Sequence, residues 1–271
     1  MSKIDFFKMT GSGNDFVVIN NLSGELKAED LPELARKICR RGLSLGADGL
    51  ILIEPSYRAD FYFRYLNADG SYAEMCGNGG RCVARFAYLK GIAGPKMSFD
   101  TLAGIITAEV IGPRVKLKMT PPTDLKIDYP LDVSGKTLTV SSINTGVPHV
   151  VVFVDDVEAV DVEGLGREIR YHPHYQPAGT NADFVQVVGP SKIIMRTYER
   201  GVEGETLACG TGACASALVT AEKGLADWPI SVQTRGGEIL TIHYEEGDIF
   251  LEGEARVICE GILWDEALLG G

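Results

Sequence analysis

The feature that most constrains this chain is that it contains one stretch twice. Cys76-Gly77-Asn78-Gly79-Gly80-Arg81-Cys82 returns as Cys209-Gly210-Thr211-Gly212-Ala213-Cys214-Ala215, and one constant offset carries Cys76, Gly77, Gly79 and Gly91 onto Cys209, Gly210, Gly212 and Gly224. The same offset takes Thr101 and Gly104 onto Thr234 and Gly237. Upstream, Arg64 to Cys76 resembles Arg196 to Cys209 with a small shift, and Asn14-Asp15-Phe16-Val17 is echoed by Asn181-Ala182-Asp183-Phe184-Val185. Two copies are too few for a solenoid. They imply two similar lobes packed about a pseudo-twofold axis: residues 1–120 carrying Cys76 and residues 121–256 carrying Cys209, divided at Pro121-Pro122. The last strand, within 257–271, is left to close either lobe.

Within each copy a thiol precedes a Gly-x-Gly turn, and a helical run ends at Gly91 or Gly224, the residue type favoured just past a helix end. Leu31, Leu34, Ala35, Ile38 and Cys39 recur at helical spacing. Short apolar runs predict strands at Phe16–Ile19, Leu50–Ile53, Phe61–Leu66, Met97–Val110, Val115–Met119, Thr137–Ile143, His149–Val154, Asp183–Val188, Lys192–Tyr198, Ile230–Thr234, Ile239–Tyr244, Ile249–Glu252 and Arg256–Trp264. The predicted fold is α/β (α+β), each lobe a curved, mostly antiparallel sheet wrapped around one central helix.

The 271 residues include 26 basic and 37 acidic side chains, a formal charge of −11, and no basic run interleaved with aromatics. Nucleic acid is therefore not an expected partner. No apolar run approaches spanning length and no signal peptide is evident, so no membrane association is expected. Six cysteines without a secretory signal read as reduced thiols in the cytoplasm. Cys39, Cys82, Cys214 and Cys259 read as small apolar core residues; the duplication singles out Cys76 and Cys209.

A helix start exposes backbone N–H donors and the positive end of the macrodipole, which lowers a thiol's pKa and attracts a carboxylate or phosphate. Inverting a carbon through a carbanion requires a base on one face and an acid on the other. One thiolate and one thiol meet that need and exchange roles in the reverse direction. No lysine is marked out by a motif, so no pyridoxal phosphate is expected, and no metal site is expected. No Gly-Lys-Ser/Thr follows either Gly-rich turn, which argues against a nucleotide loop.

Asn14-Asp15-Phe16, Cys76-Gly77-Asn78-Gly79, Thr180-Asn181, Glu199-Arg200-Gly201 and Ala208-Cys209-Gly210-Thr211-Gly212, in this order, resemble the diaminopimelate epimerase family over essentially the whole chain. The resemblance implies a cofactor-independent epimerase interconverting LL- and meso-2,6-diaminopimelate in lysine and peptidoglycan biosynthesis, and leaves a homodimer open. It implies Cys76 and Cys209 as the catalytic pair, and Gly77, Asn78, Gly210 and Thr211 as holders of the reacting carboxylate. Asn14, Asn67, Asn181 and Arg200 would hold the rest of the substrate, with His149 and Glu199 tuning the thiols or meeting the reacting amine. Two positions depart from the family pattern: Val147 stands where an asparagine is common, and Gly49 where some members carry glutamine. Both bear on substrate recognition.

The residues alone leave other readings open. His149 reads equally as a hydrogen-bonded core histidine, Glu199-Arg200 as a solvated pair, Asn14 and Asn181 as turn formers, and His172 and His174 as loop residues. Another isomerase on the same doubled lobe, similar to proline racemase or a phenazine-biosynthesis enzyme, is a second hypothesis. A binding protein whose cysteines hold zinc or form disulfides is a third, although the cysteine spacings fit common zinc pairs poorly.

Overall fold

A computed structural model describes residues 4–268; the outermost residues of the expected N-terminal lobe and of the 257–271 segment, 1–3 and 269–271, lie outside the described residues. The chain forms two compact units, one running to Leu117 and resuming at Gly253, the other Lys118–Glu252.

In the first unit β1 (Ile4–Gly11) and β2 (Asn14–Asn20) form a hairpin. Its two turn residues, Ser12 and Gly13, both have positive φ (52° and 88°), the geometry that matches the right-handed twist of the strands. There follow α1 (Leu31–Ile38), β3 (Gly49–Glu54), β4 (Phe61–Asn67), the short β5 (Tyr72–Ala73), α2 (Gly77–Leu89), β6 (Lys96–Thr101), β7 (Gly104–Ile111) and β8 (Arg114–Lys118). Most pairings are antiparallel. The two parallel ones, β2 with β3 and β4 with β6, need crossovers, and α1 and α2 supply them.

The second unit repeats this plan. It holds β9 (Thr123–Val133), β10 (Lys136–Asn144), β11 (Pro148–Phe153), α3 (Val162–Arg170), β12 (Asn181–Gly189), β13 (Lys192–Glu199), β14 (Gly204–Thr206), α4 (Gly210–Glu222), β15 (Ile230–Gln233), β16 (Ile239–Glu245) and β17 (Asp248–Glu254). Its parallel pairs, β11 with β12 and β13 with β15, span α3 and α4. The last strand, β18 (Arg256–Leu263), pairs antiparallel with β1 and belongs to the first unit. β9 follows the eight strands of the first copy yet flanks β10, and β18 follows those of the second copy yet flanks β1. Each repeat therefore gives its ninth strand to the sheet that the other repeat begins.

Strand registers fix which residues correspond. Gly49 lies opposite Phe16 and Asn67; Asn181 lies opposite His149, and the next pair, Ala182 opposite Tyr198, sets Asn181 in register with Glu199. Phe16 thus corresponds to His149, Gly49 to Asn181, Ile51 to Asp183 and Asn67 to Glu199. The echo between Asn14 and Asn181 is not a structural one, because Asn14 opens β2, whose counterpart is β11, and its own counterpart is Val147. A polar turn residue before a buried strand is a pattern that different strand starts share.

The central strands are buried on both faces, which accounts for their near-continuous apolar runs. Val17, Ile19, Leu50 and Leu52 pack with α1. By the two-residue period of a strand, Phe16, Val18, Ile51 and Ile53 point the other way. All four are buried, and a Cβ built on Gly79 of α2 would lie 3.2 Å from Ile51 Cδ1. In the second unit Val151 and Val185 pack with Ala213, Ala217 and Val219 of α4. Val150, Val152, Ala182 and Phe184 pack with Val162 and Ile169 of α3.

Four expectations are corrected. The single strand Met97–Val110 is two, because Thr101 Oγ1 donates to the Gly104 carbonyl (2.7 Å) and accepts from the Ala103 N–H (3.0 Å), closing a turn. Each unit carries a second helix beside the central one; α3 escaped notice because Gly164 and Gly166 interrupt its helical propensity. β1 and β9 were unforeseen, their charged residues masking the alternation. Cys259 is exposed on β18, whereas Cys39, Cys82 and Cys214 are buried. Among the described residues no helix is long and apolar enough to cross a membrane.

Gly166 is where α3 meets the sheet: a Cβ there would stand 2.4 Å from Tyr198 Cβ. Gly166→Ala should destabilise the protein by roughly 1–2 kcal/mol, overpacking outweighing the gain in helix propensity. Equilibrium denaturation measures this, and a variant as stable as wild type would show that α3 shifts freely.

Candidate active site

Cys76 is the N-cap of α2. Its backbone is extended (φ −139°, ψ 121°), and Sγ accepts a hydrogen bond from the Gly79 N–H at 3.5 Å, so the thiol occupies the place of the hydroxyl or carboxylate that usually caps a helix. Asn78, in the first turn, donates through Nδ2 to Asn14 Oδ1 (2.7 Å), and Asn14 donates to Asp48 Oδ2 (2.9 Å). The Asn78 oxygen accepts from Arg81 Nη2 at 3.1 Å. Gly77 has open space where a Cβ would stand. Asn67 closes the turn after β4, donating to Ser71 Oγ at 3.0 Å, and takes no part in the Asn14–Asn78 pair.

Cys209 is the N-cap of α4, again extended (φ −125°, ψ 112°). It is 5% exposed, and its Sγ lies 3.4 Å from Thr211 Oγ1. Thr211 Oγ1 is also 3.0 Å from His149 Nε2, while His149 Nδ1 is 2.7 Å from Asp183 Oδ2. The carboxylate only accepts, so Nδ1 carries a proton. In its neutral form the ring accepts at Nε2 from the Thr211 hydroxyl, whose oxygen is then left to accept from the thiol. Thr197 Oγ1 donates to Asp183 Oδ1 (2.7 Å), and Thr145 Oγ1 to the Thr211 carbonyl (2.9 Å).

The other expected residues of this unit surround that chain. Asn181 Nδ2 donates to the Pro148 carbonyl (3.0 Å) and lies 3.5 Å from His149 Nε2, and its oxygen accepts from the Arg200 backbone N–H (2.8 Å). The Arg200 guanidinium donates to the Ala178 carbonyl (2.9 Å), and Glu199 Oε2 accepts from Thr206 Oγ1 (2.9 Å). A Cβ on Gly210 would lie 3.1 Å from Leu251 Cδ1, and one on Gly212 2.7 Å from Asp183 Oδ1. Both glycines permit α4 to start close to its neighbours.

The two thiols have unlike surroundings. Burial first, and then the charges of Glu199 and Asp183, push the Cys209 thiol up, against smaller opposing contributions from Thr211 and the Gly212 N–H. Burial likewise raises Glu199, with Thr206 and His149 pulling it down and Asp183 adding to the rise. The corresponding positions of the first unit are Phe16, Ile51, Tyr65 and Asn67, and Phe16 meets the Tyr65 ring edge-on at 5.9 Å. Tyr65 is raised chiefly by burial and next by the charge of Cys76. It also accounts for Gly49, where a Cβ would lie 2.4 Å from Tyr65 Cε2, leaving no room for a side chain.

Asp183, Thr197, Asp48 and Arg81 were not picked out by the sequence reading. Asp183 had a signal: a carboxylate on the inward alternation of a strand otherwise apolar through Ala182, Phe184 and Val185. His172 is a loop residue, 3.0 Å from the Asp132 carbonyl through Nε2 and accepting from the His174 N–H at Nδ1. Among the described residues no cluster of three or more His, Cys, Asp or Glu is arranged to hold a metal, and no disulfide is present.

The sequence profile described as diaminopimelate epimerase matches residues 6–124 and 141–258, taking in both thiol segments. The chain belongs to the diaminopimelate epimerase family. A relative named diaminopimelate epimerase, from Aquifex aeolicus (strain VF5), is 49% identical over 98% of this chain and 99% of its own length. Another of that name, from Archaeoglobus fulgidus, is 43% identical over 96% of each. The fold reaches beyond the diaminopimelate epimerase family. A phenazine biosynthesis protein of the PhzF family from Bacillus anthracis superposes with a TM-score of 0.72 at 16% identity, covering 97% of this chain and 100% of that one. A hydroxyproline epimerase from Agrobacterium vitis does so with a TM-score of 0.68 at 18% identity, covering 97% and 91%.

Asp183→Asn or Glu199→Gln removes a negative charge that disfavours the Cys209 thiolate, so the Cys209 pKa should fall. Its alkylation by iodoacetamide, followed by peptide mass spectrometry across pH, should then shift to lower pH. An unmoved profile in both variants would show that burial alone governs this thiol.

Proposed function

We propose that this chain is a cofactor-independent epimerase that interconverts LL- and meso-2,6-diaminopimelate, using Cys76 and Cys209 as its two proton carriers. The observation that carries the reading is that the two cysteines are the N-cap residues of corresponding helices in the two repeats of a chain that is a full-length relative of enzymes with that name. Such chemistry needs reduced thiols, which suits the cytoplasm.

The unlike surroundings divide the labour. Carboxylates and burial favour protonated Cys209, so in one direction Cys76 is the thiolate base and Cys209 the acid. Cys76 takes the α-proton, and the electron pair of the broken C–H bond spreads into the adjacent carboxylate. The Cys209 S–H then delivers its proton to the opposite face of the carbon, ending the turnover with Cys76 protonated and Cys209 as thiolate. The reverse direction uses the same groups with roles exchanged. N–H donors at Gly77, Asn78, Gly210 and Thr211 meet the charge that develops on the carboxylate. His149 and Asp183 hold Thr211 in place to accept from the Cys209 thiol and to donate to the ring. Asn14, Asn67, Asn181 and Arg200 bind the remaining polar groups of the substrate, and Glu199 lies beside the reacting amine.

The test is to incubate the reduced protein with LL-diaminopimelate in deuterated water, following α-deuterium uptake and product stereochemistry. Wild type should incorporate deuterium with inversion, and Cys76→Ala or Cys209→Ala should each lower epimerisation by about 100-fold or more. Full epimerisation by either variant would refute the two-thiol mechanism. Absence of turnover by wild type would point to a different diamino acid, with Val147 the position to examine first.

A further inference from the structure

The hydrogen bonds behind α2 form a chain with two unambiguous ends. At one end is Arg81, fully buried, whose Nη2 donates to Asn78 Oδ1 (3.1 Å) and to Ser12 Oγ, and whose Nε donates to the Glu254 carbonyl (3.4 Å). At the other end is Asp48. Its Oδ2 accepts from Asn14 Nδ2 (2.9 Å) and from the Asp15 N–H (3.1 Å), and its Oδ1 accepts from Arg41 Nη2 (2.8 Å). Between them Asn78 Nδ2 donates to Asn14 Oδ1 at 2.7 Å.

A side-chain amide can turn over and exchange its oxygen for its nitrogen, so two asparagines facing one another have two consistent arrangements. Here the ends decide between them. A guanidinium can only donate, which obliges Asn78 to turn its oxygen to Arg81 and hence its nitrogen to Asn14. A carboxylate can only accept, which obliges Asn14 to turn its nitrogen to Asp48. Both constraints demand the same polarity. Each amide nitrogen spends one N–H within the chain and retains a second, and both oxygens are already engaged.

We propose that Arg81 and Asp48 are positioning residues that lock the polarity of the Asn14–Asn78 pair so that both amides offer N–H donors to a carboxylate of the substrate. The inference rests on the reading of Asn14 and Asn78 as substrate-binding residues. The second repeat has no equivalent: Arg81 corresponds to Cys214 and Asn14 to Val147. The device belongs to one repeat only, and it supplies carboxylate recognition that the other repeat's side chains at these positions cannot.

The test is a pair of double-mutant cycles on epimerisation of LL-diaminopimelate. Arg81→Met should lower kcat/KM by about 10-fold or more, chiefly through KM, because a donor to a charged or oriented group is lost. Arg81→Lys, which can still only donate, should recover most of that loss. In an Asn78→Ala background the Arg81→Met effect should shrink to within about 2-fold, since its route to the substrate is already gone. Asp48→Leu, which removes the acceptor, should likewise lose its effect on KM in an Asn14→Ala background. Should Arg81→Met not fold, the Asp48 cycle reads the other end of the same chain. Effects that stay additive in the cycles, or an Arg81→Met protein with wild-type KM, would overturn the proposal. Wild-type protein that does not epimerise diaminopimelate would instead overturn the functional reading and this proposal with it.

Discussion

Everything in this molecule depends on where the backbone places a cysteine at the start of a buried helix. An N-cap residue leaves the helical conformation while its side chain stays beside the first N–H groups, which have no partners within the helix. A thiol in that position meets a concentrated positive field without needing a cationic side chain of its own. The price is steric, because the first turn must come close to the strands that face it. Gly79 beside Ile51 and Gly212 beside Asp183 meet that demand. Cysteine and glycine are thus two parts of one requirement, and their shared spacing is why the repeat survived in recognisable form.

Duplication supplied two such helix starts, and divergence then made them unlike. The strand positions around the second thiol carry His149, Asp183, Thr197 and Glu199, and the corresponding positions of the first repeat are Phe16, Ile51, Tyr65 and Asn67. Burial, and then the negative charges of Glu199 and Asp183, bias the second thiol towards its neutral form. Conversely, the first repeat holds the buried Arg81 and the ordered amides that the second lacks. A single frame therefore yields two thiols with different surroundings, and the difference lies in the strands and in the first turns of the helices alike.

The parts of this arrangement that were legible in the sequence are those written in consecutive residues. The thiol segments, their glycines, the helix stops at Gly91 and Gly224 and most strands follow from local pattern. So does the burial of Cys82 and Cys214 on the two central helices. What escaped is set by pairing across the sheet. Register determines that His149 corresponds to Phe16, and no local motif reveals it; the misleading likeness between Asn14 and Asn181 came from reading along the chain where the correspondence runs across it. Asp183 and Arg81 were passed over for a related reason, since a charged residue within an apolar run acquires its meaning only when partners distant in the chain, such as His149 for Asp183 and Glu254 for Arg81, are known. Cys259 was misjudged because most of β18 is exposed, and a strand's exposure is a property of the assembled sheet.

The exchange of ninth strands bears on how the protein is made. The second unit is one continuous piece of chain, Lys118–Glu252, and all of it is synthesised before β18. The first unit begins earlier but is completed later: β1 lacks a neighbour until β18, Arg256–Leu263, has been made. During synthesis the older half of the nascent chain thus waits with an unpaired strand edge, a surface prone to mispairing. The same join makes completion of the first unit depend on residues translated after the whole of the second.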